Sequence, residues 1–413
     1  MKRFMTTALM AAAMFGLCSN VQAKTLEEIL KDKGVITEED YKEATKHSDL
    51  TTYQPGKGIT VQTEDGRYKA QVGGRLQARY ENLDVDGAED TESNFRIRRM
   101  KFWLQGNVFS KNLTYKWQQN FGGGDSVLED AYFKYKVADP FSLSIGQFKP
   151  AQGRQELTSS GSQLFVDRSL ANETFNLGYD LGLQASGQFM DKRLEYRLGV
   201  FNGNGPNQSN PDDNHMLAGR LDINPFGAFK MDEPSFNEKK LLVNIGASFA
   251  TETMSGNDMG EIDGSNDTLD KALNIDGIND PAIFTAAFGE ELDWTLYTLN
   301  LHAKYSGLTF GSEYFTLNTD PKVGADWDAD GYYIQAGYQI LPKQLEVAAR
   351  YSAIESTDTA AYTKFEKNET TLGVNYYFDK HNLKVQADYS LIEDDRSANS
   401  DENLFRLQAQ VIF

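Results

Sequence analysis

Cysteine is nearly absent from this chain, which has one, Cys18, among 413 residues. Cys18 falls in an apolar segment near the N-terminus, so the remainder can form neither a disulfide nor a thiolate site. Histidine is also scarce, with four residues that form no pair at metal-ligating spacing. These shortages argue against cysteine or histidine chemistry, and we expect no cofactor and no enzymatic activity.

Long apolar runs are missing as well. The most apolar stretch, residues 4–17, follows Lys2 and Arg3 and is too short to cross a bilayer as a helix. A basic start, an apolar run and the small-residue site Val21-Gln22-Ala23 together predict a signal peptide over residues 1–23. The alternative, a membrane anchor, is disfavoured by the length of the apolar run.

Basic charge is in short supply. Lys and Arg number 41 against 60 Asp and Glu, which gives a net charge of −19. Such acidity argues against nucleic-acid partners. Aromatic residues are plentiful, with 20 Tyr and 25 Phe, yet the mean hydropathy is −0.54. A protein that is rich in aromatics but polar on average is typical of a membrane β-barrel, which faces lipid on one side and water on the other.

The last nine residues alternate strictly in polarity. Apolar positions run from Phe405 through Leu407, Ala409 and Val411 to Phe413, and Arg406, Gln408 and Gln410 stand between them together with Ile412. A period of two indicates a β-strand with two differently solvated faces. With no helix-length apolar run beside it, this pattern predicts a strand of a transmembrane barrel.

Sixteen alternating segments can be counted from residues 68–80 to residues 403–413. Most are close to the 9–11 residues that a tilted strand needs to cross a bilayer, and bacterial single-chain barrels have even strand numbers. Short connections such as 379–382 alternate with long acidic ones such as 252–293. The sequence therefore predicts a 16-stranded antiparallel outer-membrane β-barrel over residues 58–413, with a short N-terminal helical segment.

Residues 24–57 form the predicted helical segment and a linker. Thr37 and Asp40 have the spacing of a capping box that would open a second short helix over residues 38–46. Pro55, Gly56 and Gly58 place the linker at residues 53–58. Two readings stay open, a periplasmic helical hairpin and a partly ordered leader, because helices this short are marginal alone.

The alternation also sorts charge between lipid and lumen. In the first barrel strand Arg75 and Arg79 fall on the inward face. The second strand slips by one position between Arg98 and Arg99, and a β-bulge there would turn both inward, together with Arg96 and Lys101. The alternative is that the strand ends near Arg98.

Continued through all strands, this register places sixteen basic and six acidic residues in the lumen, among them Lys134 and Asp130. Rings of Arg and Lys favour anions, so an anion-preferring pore is predicted. The alternative is that mixed lumen charges only keep the wall hydrated.

A weak calcium candidate lies at Asp326, Asp328 and Asp330, which begin like a calcium loop. The bidentate Glu of such loops is missing, because Gly337 occupies its position. An acidic, solvated loop tip is the simpler interpretation, and no metal is otherwise expected.

Short motifs in order along the barrel resemble the phosphate-selective porin O and P family of outer-membrane proteins. They are Gly73-Gly74-Arg75-Leu76-Gln77, residues 95–100 (FRIRRM), Glu129-Asp130-Ala131-Tyr132, Ile145-Gly146-Gln147-Phe148, Thr158-Ser159-Ser160 before Asp167-Arg168, residues 371–376 (TLGVNY) and residues 407–413. The resemblance implies trimers of 16-stranded subunits in the outer membrane, in contact with lipid and lipopolysaccharide, that pass inorganic anions or small polar solutes.

The resemblance also implies site residues. Arg75, Arg98, Arg99 and either Glu129 or Asp130 would line a central anion site, and the register favours Asp130 as the inward one. Residues 147–181 would be the constriction loop, which carries Arg154, Asp167 and Arg168.

One departure bears on the solute. The family's phosphate-specific members have a lysine after Thr-Ser-Ser, where this chain has Gly161. Three readings of function therefore stay open: a passive pore with anion preference, a general or cation-tolerant diffusion pore, and a structural or adhesive barrel.

Overall fold

The computed structural model describes residues 26–37, 39–41, 50–87, 91–236, 239–256, 280–324, 326–356, 366–395 and 401–413. The chain divides into two compact units, residues 1–50 and 51–413. The predicted signal peptide, 1–23, and the predicted helix beyond Tyr41 lie outside the described residues, so both stay predictions.

The N-terminal unit contains helix α1 (Leu26–Asp32), followed by the predicted capping box. Asp40 N–H donates to Thr37 Oγ1 at 3.0 Å, and Thr37 N–H donates to Asp40 Oδ2 at 2.9 Å. Hydrogen bonds from Thr37 hold the pKa of the Asp40 carboxyl below its usual value. The capping box is confirmed.

The second unit is a closed antiparallel barrel of sixteen strands, which confirms the predicted fold and strand number. Each strand pairs with its sequence neighbours, and the last strand pairs with the first. The barrel strands are β3 (Lys69–Val85), β4 (Glu92–Asn107), β5 (Leu113–Asn120), β6 (Val127–Ala138), β7 (Phe141–Phe148), β8 (Asp180–Phe189), β9 (Leu194–Phe201), β10 (Met216–Ile223), β11 (Leu242–Ser255), β12 (Glu291–Tyr305), β13 (Leu308–Pro321), β14 (Ala329–Leu341), β15 (Leu345–Ser356), β16 (Glu366–Asp379), β17 (Leu383–Asp394) and β18 (Glu402–Ile412).

Burial follows the predicted alternation. Along β15, Glu346 and Arg350 are buried on the inner face, whereas Val347 and Tyr351 are exposed on the outer face. An apolar outer surface suits lipid, where every backbone polar group must be paired within the sheet. No helix in the described ranges is both long and apolar enough to cross a membrane.

A hairpin precedes the barrel where the sequence analysis expected a linker. Strand β1 (Thr51–Gln54) pairs with β2 (Gly58–Gln62), so the expected linker at residues 53–58 is replaced by the end of a strand and a tight turn. Strand β2 then pairs with the start of β3, from Ile59 opposite Val72 to Gln62 opposite Lys69. Because β18 ends opposite Arg75, this hairpin continues the wall beyond the last strand.

The two ends of the barrel differ. One end carries short turns, such as residues 306–307 and 380–382, and the other carries the long connections. Helices α2 (Arg154–Leu157) and α3 (Leu170–Phe175) lie in the connection between β7 and β8, and α4 (Pro281–Phe288) precedes β12.

An apolar core fills part of the lumen. Phe175 of α3 stacks on Phe315 of β13 with ring centroids 5.4 Å apart, and its ring lies against the backbone of Gly331. Trp294, Trp327 and Tyr333 belong to the same buried cluster. This side of the barrel is therefore a packed interior, which the assignment of polar residues to the lumen did not predict.

Two adjacent glycines make room for aromatic rings on opposite faces of β3. A Cβ on Gly73 would lie 2.5 Å from the indole of Trp103, and one on Gly74 would lie 2.7 Å from the ring of Phe413. Gly74 and Phe413 also exchange backbone hydrogen bonds at 2.8 and 2.9 Å. Gly74 thus lets the C-terminal residue pack against β3 where β18 closes the barrel, and Gly73 makes room for Trp103 on the other face.

We expect Gly74→Leu to destabilise the barrel by about 1–3 kcal/mol, because the added side chain overlaps the Phe413 ring. Urea unfolding of protein refolded into lipid measures this. The double variant Gly74→Leu/Phe413→Ala should unfold at the same urea concentration as Phe413→Ala alone. Unchanged unfolding of Gly74→Leu would contradict the packing account.

Candidate functional site

The connection between β7 and β8, residues 149–179, folds into the lumen and contacts opposite parts of the wall. On one side Arg75 of β3 donates to Ser159 Oγ at 3.0 Å and to Ser160 Oγ at 2.7 Å. On the other side Arg154 donates to Asn244 of β11 at 3.2 Å. We call this segment the constriction loop, because it crosses the pore.

A second segment enters the lumen from the short-turn end. This longer connection between β10 and β11, of which residues 224–236 and 239–241 are described, meets the constriction loop at Glu233. The Glu233 carboxylate accepts from Leu164 N–H at 2.6 Å and from Gln155 Nε2 at 3.0 Å. The Glu233 N–H in turn donates to the Ser162 carbonyl at 3.0 Å. The constriction loop is therefore held both by the barrel wall and by the connection that enters from the short-turn end.

Arginines from three strands surround one carboxylate of the constriction loop, Asp167. Arg79 Nη1 lies 2.5 Å from Oδ2, Arg99 Nη2 lies 3.0 Å from Oδ1, and Arg98 Nε lies 3.7 Å from Oδ2. Arg406 of β18 approaches Oδ2 at 3.9 Å. We call Arg79, Arg98, Arg99 and Arg406 the arginine cluster. The side chain of Arg98 is 32% exposed and that of Asp167 13%, so the cluster is reachable from water.

The electrostatics of this contact favour an ionised carboxylate. Burial alone would raise the pKa of Asp167, but the guanidinium groups of Arg79, Arg99 and Arg98 hold it well below its usual range. Asp167 is therefore charged throughout the physiological pH range.

Backbone bulges explain which charges face inward. The register between β3 and β4 shifts so that Gln77 lies opposite Arg99 and Ala78 opposite Ile97, which leaves Arg98 as the extra residue. The predicted bulge is confirmed. A second shift, between β5 and β6, leaves Glu129 as the extra residue.

Glu129 and Asp130 consequently both turn inward, although the register had selected Asp130 alone. Glu129 pairs with Lys101 and accepts from Gln118, and Asp130 pairs with Lys116 at 2.7 Å. The strict alternation was wrong at this point because it contained no bulge.

Below the constriction loop, toward the short-turn end, lies a cavity of about 1030 Å³. Its charged lining consists of nine basic and two acidic side chains: Lys57, Lys69, Arg75, Lys101, Lys116, Lys134, Lys149, Arg168 and Arg197, with Asp130 and Glu156. We call this space the basic vestibule. Residues of the β1–β2 hairpin, including Thr52 and Thr60, complete one wall.

The predicted site residues fall into four places, of which the arginine cluster and the basic vestibule hold most. Arg79, Arg98 and Arg99 are in the arginine cluster, and Arg96 lies beyond them, more exposed, in contact with Glu81. Arg75, Lys101, Asp130, Lys134 and Arg168 line the basic vestibule.

Arg154 lies in neither group. Its guanidinium donates to the Lys230 carbonyl at 2.9 Å and covers the ring of Phe229 at 4.7 Å. Arg154 thus fixes the constriction loop to the connection between β10 and β11 and to the wall, and it does not line the pore.

Sequence reasoning missed several carboxylates in the lumen. Glu81 contacts Arg79 and Arg96, Glu369 contacts Arg350 at 3.1 Å, and Glu156 contacts Arg168 at 3.0 Å. The predicted excess of sixteen basic over six acidic residues is therefore too large. Glu81 and Glu369 continue the inward alternation of β3 and β16, so extending that register could have found them, whereas Glu156 belongs to a loop that folds inward.

Gly161 has a visible role beside Arg75. A Cβ at Gly161 would come closer than 3.0 Å to the Arg75 guanidinium. A lysine at this position would need Arg75 to move. The hydrogen bond from Arg75 to Ser160 therefore depends on the small size of Gly161.

The calcium candidate does not form a site. Asp328 accepts from Thr319 N–H at 3.3 Å, and Asp330 accepts from the Tyr314 hydroxyl at 2.7 Å. Within the described ranges no three or more His, Cys, Asp and Glu side chains are grouped to hold a metal ion. The described contacts of Asp328 and Asp330 are thus with neighbouring polar groups of the barrel.

A closed 16-stranded barrel with an apolar outer surface, and a polar channel narrowed by an inward loop, defines an outer-membrane porin. More specifically, residues 70–413 match the family described as phosphate-selective porin O and P, and the chain belongs to that family.

Three known proteins show how far the similarity extends. An uncharacterised protein of Aquifex aeolicus is 25% identical, with 98% of this chain and 99% of that protein covered. Porin O of Pseudomonas aeruginosa is 23% identical, with 83% and 87% covered. The solved structure of an anion-selective porin from Comamonas acidovorans superimposes with a TM-score of 0.58 at 12% identity, covering 83% of this chain and 99% of that one.

We expect Glu233→Gln to loosen the constriction loop, because the new amide nitrogen would face donors that now meet a carboxylate. Unsatisfied buried donors cost about 1–3 kcal/mol, so the variant should unfold at lower urea and show larger open-channel current noise. Asp232→Asn is the matched control, since Asp232 pairs with Lys304 instead. Equal noise in the two variants would argue against the Glu233 contact as the support of the loop.

Proposed function

We propose that this porin passes small anions preferentially, by passive diffusion and without catalysis. The basic vestibule carries the proposal, because its lining has nine basic and two acidic side chains in a protein whose overall net charge is −19. A solute that crosses the constriction loop must pass through this space to reach the short-turn end. The positive lining raises the local concentration of anions there.

Several cations of the basic vestibule have no carboxylate partner in the part of the chain that the structure describes. Lys57, Lys69 and Lys134 line the cavity without an ion pair, and Arg75 and Arg197 have no described carboxylate within 4 Å; Arg75 donates to serine hydroxyls instead. These groups can attract anions without first breaking a salt bridge. Many weak contacts, none of them tight, permit both entry and exit, which conduction requires.

The chemistry of the vestibule favours small oxyanions and chloride without a single dominant site. Lysines predominate, and they act as point charges, whereas paired arginines offer the bidentate fork that suits phosphate. The arginine cluster is such a set, but it contacts Asp167. Together with Gly161 this supports a broad anion preference over narrow phosphate specificity.

The remaining assignments follow from the fold and the resemblance. We propose that the short-turn end faces the periplasm, that export uses the predicted signal peptide, and that three copies assemble in the outer membrane among lipid and lipopolysaccharide. The cation-tolerant alternative rests on the acidic connections at the opposite end, which would repel anions at low salt.

The deciding measurement is the reversal potential of the purified protein in a planar bilayer under a KCl gradient. We expect a potential of the sign that chloride preference gives. The opposite sign would favour the cation-tolerant pore, and a barrel that is folded but does not conduct would favour the structural reading.

We expect Lys134→Gln to lower the chloride-to-potassium permeability ratio about fourfold. A unit charge at a distance of roughly 10 Å in water contributes about 0.4 kcal/mol, favourable for chloride and unfavourable for potassium, so its loss changes their ratio by about 0.8 kcal/mol. Lys343→Gln removes the same charge from an exposed turn outside the vestibule and should leave the ratio unchanged. An equal ratio in native protein and Lys134→Gln would show that the vestibule does not set selectivity.

A further inference from the structure

The contact between Asp167 and the arginine cluster has the geometry of a bound oxyanion. Donors from Arg79 at 2.5 Å and Arg99 at 3.0 Å reach its two oxygens, and Arg98 and Arg406 lie within 4 Å. Among the described residues, Asp167 is the ion-pair partner of both Arg98 and Arg99, and neither has another. One loop carboxylate is therefore shared by two adjacent guanidinium groups and offsets one of their two positive charges.

The constriction loop is held at this point by backbone contacts that do not need the carboxylate. Arg350 Nη1 donates to the Asp167 carbonyl at 3.0 Å, and Val166 N–H donates to Asp388 Oδ2 at 3.0 Å. Arg79 Nη2 donates to the Val166 carbonyl at 3.2 Å. Anchoring and neutralisation are thus separate, and the carboxylate is not required to keep the loop in place.

We propose that Asp167 is a tethered counter-ion, which occupies the arginine cluster and so prevents this pore from binding oxyanions tightly. The proposal rests on the proposed function, because it concerns the affinity of the same pore. A free anion must displace a carboxylate that the loop keeps at high local concentration. The cluster then contributes little affinity, and anions pass to the basic vestibule instead.

Removing the carboxylate should convert the cluster into an oxyanion site. Arg98 and Arg99 would lose their ion-pair partner, and their guanidinium groups would be free to bind phosphate bidentately. Arg79 would keep Glu81, and Arg406 would keep Asp388, so these two arginines stay positioned. Asp167 would then be a specificity-determining residue that acts by exclusion.

The test is block of the KCl current by inorganic phosphate in planar bilayers. Asp167→Ser removes the carboxylate and vacates its volume, and we expect the half-blocking phosphate concentration to fall about tenfold or more below the native value. Asp167→Glu keeps the charge and should remain close to native. Asp293→Ser is the matched control, since it removes one carboxylate from an exposed ion pair with Lys322, outside both the cluster and the basic vestibule.

The outcomes separate this inference from the proposed function. A half-blocking concentration unchanged in Asp167→Ser, or lowered equally in Asp293→Ser, would overturn the tethered counter-ion. A native reversal potential of the cation sign would overturn the anion preference instead, whatever the block shows. If Asp167→Ser does not refold, Asp167→Asn takes its place with the same expected fall, because it also removes the charge.

Discussion

Everything in this molecule depends on the closure of β18 against β3. In lipid an unpaired strand edge is too costly to persist, so a sixteen-stranded sheet is stable only as a ring. Eleven residue pairs from Glu402 to Ile412 close the ring, and Phe413 extends the contact onto Gly74. Closure creates the lumen, and the lumen in turn decides which side chains meet water and which meet lipid.

Closure also explains which parts of the structure the sequence could predict. Alternation of polar and apolar residues indicates a wall that faces lipid on one side and water on the other. The barrel strands, their even number and the inward position of the β3 arginines could therefore be predicted from this alternation alone. The bulge at Arg98 could be predicted because, without it, two of the four charged side chains of this segment would face lipid. Glu129 was not visible, because Glu129 and Asp130 are both acidic and either could satisfy the alternation.

The interior of the lumen was harder to predict, because its contents are set by tertiary contacts. Nothing in the periodicity of residues 149–179 or 224–241 shows that these segments fold inward and meet at Glu233. The inward aromatic residues that pack against these segments, such as Phe315, follow the same alternation as other strand residues, so the sequence does not distinguish them. The same limitation produced the inflated lumen charge, since Asp167 and Glu156 reach the lumen from a loop and not from the wall.

The lumen contains basic residues at two levels, which differ in how many of their positive charges are paired with carboxylates. At the arginine cluster, the four guanidinium groups from β3, β4 and β18 contact three carboxylates, those of Glu81, Asp167 and Asp388, so most of their charge is offset. In the basic vestibule below, Lys57, Lys69 and Lys134 have no ion-pair partner among the described residues, so part of the positive charge there is uncompensated. Attraction for a passing anion depends on uncompensated charge, since a paired guanidinium must first give up its partner. We therefore propose that the level with fewer arginines contributes most to the anion preference of the pore.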